Sequence, residues 1–370
     1  MSHDAQSLSI LFAAGGTGGH LFPAIAIAEE IKKIEPDTHI AFVGTKNKIE
    51  ARIIPQKGYA FSTIWISGFH RRLTVENLLF PLKIVVSLFQ SFFLIQKVKP
   101  HVVVGTGGYV CGPVLYIATL MKIPTVIHES NSYPGVTTRM VASRVSKVLL
   151  TFEITKKWLP NTDEDTMEVV GTPTRDSLGK ISREAGLKFF NLDPKKKTLL
   201  VFGGSLGAMS INLMIEKIAG ELTNTGIQII WQTGEKEAER FASKRNENVW
   251  VGKFIDAMEY AYAAADLVMC RSGATTLAEL TRLGKPAILI PYPHAAANHQ
   301  EMNAQAMVEA GAAVMIKETD LEVKVLPTIK EIFSNELTRT MMHEKSLLLG
   351  RPNARKEIAE RILRLGNQRS

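Results

Sequence analysis

Short runs of apolar and β-branched residues recur along the chain, separated by longer stretches whose apolar positions return every three or four residues. In the first half the runs are "SILFAA", "HIAFVG", "STIWI", "VVVG", "TVIHE", "KVLLTF" and "MEVVG". The second half gives "TLLVFGG", "IQIIWQTG", "VWVGKFI", "LVMCRSG", "AILIPYP" and "AVMIKE". None alternates strictly between apolar and polar, so each predicted strand is covered on both faces, as in a parallel sheet flanked by helices. The pattern predicts an α/β fold of doubly wound parallel sheets, with strands enough for two. A second start supports this: "LLVFGGSLGA" repeats the strand, glycine turn and helix of "ILFAAGGTGG". The polar stretch "LPNTDEDTMEVVGTPTRDSLGK" is the expected linker, giving Rossmann-like domains at 1–173 and 174–352. Two such domains facing each other would leave one cleft at the carboxyl ends of their strands.

One apolar stretch breaks the rhythm. Leu78 to Ile95, "LLFPLKIVVSLFQSFFLI", holds Pro81, Lys83 and Gln90, and its uninterrupted part is shorter than the roughly 20 residues of a spanning helix. It reads as a buried helix. Arg71 and Arg72 before it and Lys97 and Lys99 after it also suit an apolar surface dipping into an anionic membrane.

At 370 residues, 45% hydrophobic and 22% charged, the composition is that of a globular protein of two domains. The net charge of +8 favours an anionic partner. No Lys/Arg run is interleaved with aromatics, so nucleic acid is not expected; acidic lipid or a phosphorylated substrate is. Cys111 and Cys270 lie beside apolar runs without CxxC spacing, which points to reduced thiols in a reducing compartment. The amino-terminal apolar run is short and lacks a basic segment before it, which argues against a signal peptide.

Three glycine turns carry the candidate chemistry: "GGTGGH" (Gly15–His20), "GTGGYVCGP" (Gly105–Pro113) and "GGSLGA" (Gly203–Ala208). Glycine lets a phosphate or sugar approach the amides, and the helix N-terminus that follows favours an anion. A dinucleotide fingerprint is absent, because the third glycine is missing and "HIAFVGTK" closes without an acid. The phosphate loop GxxxxGK[ST] is absent too, since "LGKP" has Pro286 at its last position. In "CRSGATTLAEL", Thr275 and Thr276 open a helix and Glu279 follows a turn later. A carboxylate there accepts both hydroxyls of a ribose, or simply stabilises the helix dipole. Asn298, His299, Gln300 and Asn303 crowd the loop "HAAANHQEMNA", where amides suit sugar hydroxyls.

Together "GGTGGH", "GGYVCGP", "HESN", "VGTPTR", "GGSLGA", "CRSGATTLAE" and "HAAANHQ" occur in an order that resembles the MurG-type N-acetylglucosaminyltransferases, and the resemblance spans essentially the whole chain. It implies a GT-B fold, with the acceptor on the N-terminal domain, UDP-N-acetylglucosamine mainly on the C-terminal one, and the last helix (353–370) packed back on the first domain. It implies donor contacts at Thr17, Gly18, Gly19, Asn131, Arg175 and Ser205, uracil reading by the Ile255 backbone, diphosphate and ribose binding by Ala274, Thr275, Thr276, Leu277, Ala278 and Glu279, and sugar binding by Gln300. Tyr109 and His128 would serve the lipid-linked muramyl peptide acceptor. The chain departs from the family's usual "GGSQGA", "HEQN" and "GNP" at Leu206, Ser130 and Thr172. Also implied are an anionic membrane surface as partner, a peripheral place on the cytoplasmic face of the bacterial inner membrane, and cell-wall and division proteins as associates.

The implied reaction inverts the sugar's anomeric centre in one displacement, and so needs a base at the acceptor hydroxyl. His20 is the expected base, with an ordinary pKa of about 6.5; capping its helix or binding a phosphate is the alternative. Glu129 is the rival, as base or as the group orienting His20, and His128 stands beside it. No metal or other cofactor is expected, helix N-termini and Arg175 neutralising the leaving diphosphate. "DED" at Asp163–Asp165 matches the DxD of metal-dependent transferases but sits in a Pro/Asn/Thr-rich loop, as a solvated charge run does. A UDP-N-acetylglucosamine 2-epimerase, another glycolipid synthase and a non-enzymatic nucleotide-sugar adaptor are the competing readings.

Overall fold

The computed structural model describes residues 7–68, 79–204 and 206–368, so Ser205, Arg71, Arg72 and Leu78 lie outside the described residues. The chain divides into two compact units, Met1–Thr174 with Pro352–Ser370, and Arg175–Arg351.

The first unit is built on parallel strands β1 (Ser9–Ala13), β2 (His39–Gly44), β3 (Ala60–Thr63), β4 (Val102–Gly105), β5 (Thr125–Glu129), β6 (Lys147–Leu150) and β7 (Met167–Val169). Its helices are α1 (Gly18–Ile34), α2 (Ile49–Gln56), α3 (Phe80–Val98), α4 (Cys111–Leu120) and α5 (Val136–Val141). The sheet order is β3-β2-β1-β4-β5-β6-β7. Ile10 and Phe12 of β1 enter one apolar cluster while Leu11 and Ala13 enter another, which is why the strand shows no alternation. The order reverses between β1 and β4, and the register Ala13↔Gly105 brings their ends level. A crevice forms beyond the carboxyl ends of strands at such a reversal.

The second unit repeats the plan with β8 (Lys197–Phe202), β9 (Ile227–Gln232), β10 (Val249–Gly252), β11 (Leu267–Cys270), β12 (Ala287–Leu289) and β13 (Ala313–Met315), ordered β10-β9-β8-β11-β12-β13. Its helices are α6 (Arg183–Phe190), α7 (Met209–Asn224), the short α8 (Ala238–Phe241), α9 (Met258–Ala264), α10 (Ala274–Leu283), α11 (His299–Glu309), α12 (Leu321–Ser334) and α13 (Glu336–Leu349). Here the reversal lies between β8 and β11, with Phe202 opposite Cys270.

The last helix, α14 (Ala354–Asn367), belongs to the first unit. Ile358, Ala359, Ile362 and Leu363 share a core with Leu21, Ala24, Ala28 and Ile31 of α1, each large side chain contributing roughly 2 kcal/mol by burial. Arg355 pairs with Glu29 and Glu30, and Arg361 with Glu168 of β7, which Lys147 shares. Partial burial works to raise the pKa of Glu168, but the two cations outweigh it and hold the carboxyl below its ordinary range.

Helix α3 is turned inside out. Its buried stripe is Lys83, Ser87, Ser91 and Ile95, while Leu82, Val85, Phe89 and Phe93 are 50 to 66% exposed. Lys83 donates to Ser67 Oγ (2.9 Å), and Ser87 and Ser91 donate to carbonyls of their own helix. Gln90 accepts from the Trp65 amide (2.7 Å) just beyond β3, where the sequence had predicted continuing strand. The expectation of a buried apolar helix is thereby corrected: the polar interruptions face the protein and the apolar residues face out.

Candidate functional site

Most of the glycines at the first reversal are cleared for the protein's own atoms. A Cβ on Gly15 would sit 2.6 Å from Glu50 Oε1, one on Gly107 2.4 Å from the His20 ring, and one on Gly108 2.3 Å from the Gly15 carbonyl. The loops after β1 and β4 therefore interlock backbone against backbone. Glu50, in the first turn of α2 and fully buried, accepts from Gly16 N (3.2 Å), Thr45 N (3.1 Å) and Thr45 Oγ1 (2.8 Å). Cys111 adds a further tie, its thiol held at the Ala13 and Gly107 carbonyls and its pKa pushed by burial to about 12.

This frame sets His20. Thr106 Oγ1 donates to the His20 carbonyl (2.8 Å), and His20 Nδ1 lies 3.2 Å from the Thr106 carbonyl. A carbonyl only accepts, so Nδ1 carries a hydrogen at this contact. Thr17 caps α1 in extended conformation, and Gly18 and Gly19 form the first helical residues, with Thr17 and Gly19 exposed. Tyr109, half exposed, packs against Gly68 and borders Gly16.

The loop after β5 is tied from within by Glu129 and His128. Glu129 is 4% exposed, and its oxygens are spent. Oε1 accepts from Asn131 N and Asn131 Nδ2 (both 3.0 Å), and Oε2 from Gly135 N (2.9 Å) and Thr138 Oγ1 (2.6 Å). With four donors on four acceptor directions, this carboxylate fastens the loop and the start of α5, and holds Asn131. His128 is 1% exposed, with Nε2 donating to the Gly171 carbonyl (2.8 Å), and burial lowers its pKa. It braces the Gly171 turn. Ser130 Oγ stands 3.4 Å from its other nitrogen, and Thr172 bonds Thr151 (2.6 Å), so both departures join internal networks.

In the second unit Gly203 and Gly207 are likewise packed against backbone, but two other glycines are open. A Cβ on Gly204 or Gly273 would meet nothing within 4 Å. Open space thus lies over the turn after β8 and over the N-terminus of α10, where a ligand can reach the amides. Leu277 N is already bonded to the Gly273 carbonyl, and the Leu277 and Ala278 side chains are buried. Ala274, Thr275 and Thr276 remain at the surface of this helix end.

Gln232 was missed by the sequence reading, although an amide closing the apolar strand "IQIIWQ" was the available signal. It donates to the Gly204 carbonyl (3.0 Å) and accepts from Ile255 N (2.9 Å), tying the turn after β8 to the Ile255 backbone. Ser272 Oγ donates to the Gln300 carbonyl (2.7 Å), Asn303 donates to the Ser272 carbonyl (3.2 Å), and Gln300 Oε1 accepts from Tyr292 N (3.0 Å). Arg271, bonded to Ile290 O, Pro291 O and Glu318, fixes the same loop. Glu279 is 5% exposed, held by Tyr262 Oη on Oε2 (2.9 Å) and Arg175 Nε at Oε1 (3.3 Å). Burial raises its pKa, opposed by Arg175 and Tyr262. The Asp163–Asp165 acids cap their own turn: Asp163 Oδ1 accepts from Asp165 N (3.2 Å).

Residues 10–150 match the glycosyltransferase family 28 N-terminal domain and residues 198–362 its C-terminal domain. Over 97% of its length the chain is 40% identical to the UDP-N-acetylglucosamine--N-acetylmuramyl-(pentapeptide) pyrophosphoryl-undecaprenol N-acetylglucosamine transferase of Flavobacterium psychrophilum, of which 98% is covered. It is 44% identical to the enzyme of that name from Chlorobaculum parvum, over 97% of this chain and 99% of that one. The crystal structure of MurG from Acinetobacter baumannii superposes with a TM-score of 0.77 at 26% identity, over 97% of this chain and 99% of the other. A UDP-N-acetylglucosamine 2-epimerase structure shares the fold, with a TM-score of 0.64 at 16% identity over 98% of both chains. Two family-28 domains on two Rossmann-like sheets, related along their whole length to these transferases, make the chain a MurG-type member of glycosyltransferase family 28 with the GT-B architecture.

Proposed function

We propose that this protein transfers N-acetylglucosamine from UDP-N-acetylglucosamine to the C4 hydroxyl of the N-acetylmuramic acid carried on undecaprenyl diphosphate, in peptidoglycan synthesis. The observation that carries the reading is the full-length relationship to transferases bearing that name. In this reading the open N-terminus of α10 takes the donor diphosphate through the Ala274 to Thr276 amides. Glu279 takes the ribose, the Ile255 carbonyl the uracil, and Gln300, with its oxygen already bonded to Tyr292 N, offers its NH2 to the sugar. Arg175 and the helix dipole offset charge on departing UDP.

His20 Nε2 is the base. It removes the proton from the acceptor hydroxyl as that oxygen attacks the anomeric carbon and the bond to UDP breaks. Thr17, Gly18, Gly19 and Tyr109 line its approach, while Glu129, Asn131 and His128 keep the neighbouring loop in place. The acceptor's lipid stays in a bilayer, and the outward apolar face of α3 is the surface that meets it, at the cytoplasmic face of the membrane. Lys97 and Lys99 beside that face suit anionic headgroups.

UDP release measured with and without a lipid-linked muramyl acceptor tests the activity. Release that depends on the acceptor supports transfer. Release or epimerisation of the sugar nucleotide without acceptor would assign the chain to the isomerases that share its fold.

A further inference from the structure

We propose that Tyr262 is a positioning residue that sets selectivity for ribonucleotide donors, by holding the Glu279 carboxylate as acceptor for two adjacent sugar hydroxyls. The proposal rests on the donor reading above and deepens it. Tyr262 lies on α9 and is 1% exposed, and its hydroxyl donates to Glu279 Oε2 (2.9 Å). A phenylalanine would fill the same space, but a buried phenol needs a partner, and here the partner is a ligand-binding carboxylate. Arg175 Nε approaches the other oxygen (3.3 Å), and the Glu279 side chain keeps a window of only 6% exposure. An ionised carboxylate has about two acceptor directions on each oxygen. Tyr262 takes one on Oε2 and Arg175 pairs with Oε1, so both oxygens keep acceptor capacity. Two adjacent hydroxyls, as in a ribose diol, are the donors that match.

The phenol also keeps the group an acceptor. Burial favours the protonated acid, which would present a donor to the diol; Tyr262 and Arg175 oppose that. Without the phenol the carboxyl is freer to rotate and easier to protonate, so the diol loses its fixed partner. A site built to bond a hydroxyl penalises an analogue lacking it far more strongly than a site that merely tolerates it.

The test compares kcat/KM for UDP-N-acetylglucosamine with that for its 2′,3′-dideoxyuridine analogue. This ratio does not depend on the folded fraction, so a structural defect alone leaves it unmoved. The wild-type protein is expected to penalise the dideoxy donor by about 10⁴-fold. Both Glu279→Gln and Tyr262→Phe should cut that penalty by about 10-fold, and Tyr262→Met, which drops the donor but fills the space pliably, should do the same. A wild-type penalty retained in Tyr262→Phe or Tyr262→Met but lost in Glu279→Gln overturns the proposal and leaves the ribose reading standing. A penalty retained in Glu279→Gln, or absent from the wild type, removes the ribose reading and the proposal with it.

Discussion

The Thr106 carbonyl fixes Nδ1 of His20 as a donor. Nε2 is the nitrogen that the proposed reaction uses as its base. General-base groups contribute about 10²–10⁴-fold, so His20→Ala should lower kcat by that order with a modest change in donor KM; near-normal turnover would take His20 out of the chemistry. Glu50 supports the same loop from behind. Its three donors all need an acceptor, and glutamine would turn an NH2 toward one of them. A buried N–H left without a partner costs roughly 1–3 kcal/mol. Glu50→Gln is therefore expected to lower the urea midpoint and kcat together while donor KM holds, and unchanged values of both would show that the Gly16 amide does not depend on it. "GGTGGH" was visible as a functional loop in the sequence. That Gly15 is bare for a glutamate 35 positions later was not, because the contact is made by the β2-to-α2 turn and leaves no local pattern.

At the scale of elements, α3 and α14 carry opposite messages. In α3 the sequence showed eighteen largely apolar residues but not which way they face, since only packing decides that a lysine and two serines turn inward. Replacing Phe89, Phe92 and Phe93 with serine should release the protein from anionic vesicles and leave its thermal unfolding nearly unchanged; vesicle binding equal to wild type would contradict membrane contact by this face. In α14 the helical spacing of "NARKEIAERILRL" was legible, and the partners of its arginines were not. Glu168 has a folded pKa below its unfolded value of about 4.5, so its pairing stabilises fully above that pH and is lost as pH falls through the folded pKa. Arg361→Ala should thus lower stability at neutral pH, with the gap to wild type narrowing below about pH 4. A gap independent of pH would place the arginine's contribution in packing alone.

The molecule as a whole is a duplicated plan put to two uses. Both sheets were legible because parallel strands buried on two faces write themselves as unbroken apolar runs; β1 feeding two separate cores is the physical form of that signal. The difference between the two reversals was not legible. In the first, glycines make room for His20, Glu50 and a neighbouring backbone; in the second, Gly203 and Gly207 also make room for backbone, while Gly204 and Gly273 leave open space over amides. Only coordinates separate a glycine emptied for the protein from one emptied for a ligand. The central claim, a sugar passed from a nucleotide diphosphate to a lipid-borne alcohol, is tested most directly by following labelled N-acetylglucosamine. Incubation of labelled UDP-N-acetylglucosamine with lipid-linked muramyl peptide in vesicles should move the label into the lipid fraction with release of one UDP per sugar; label that stays on the nucleotide, or appears as a free or epimerised sugar, would contradict it.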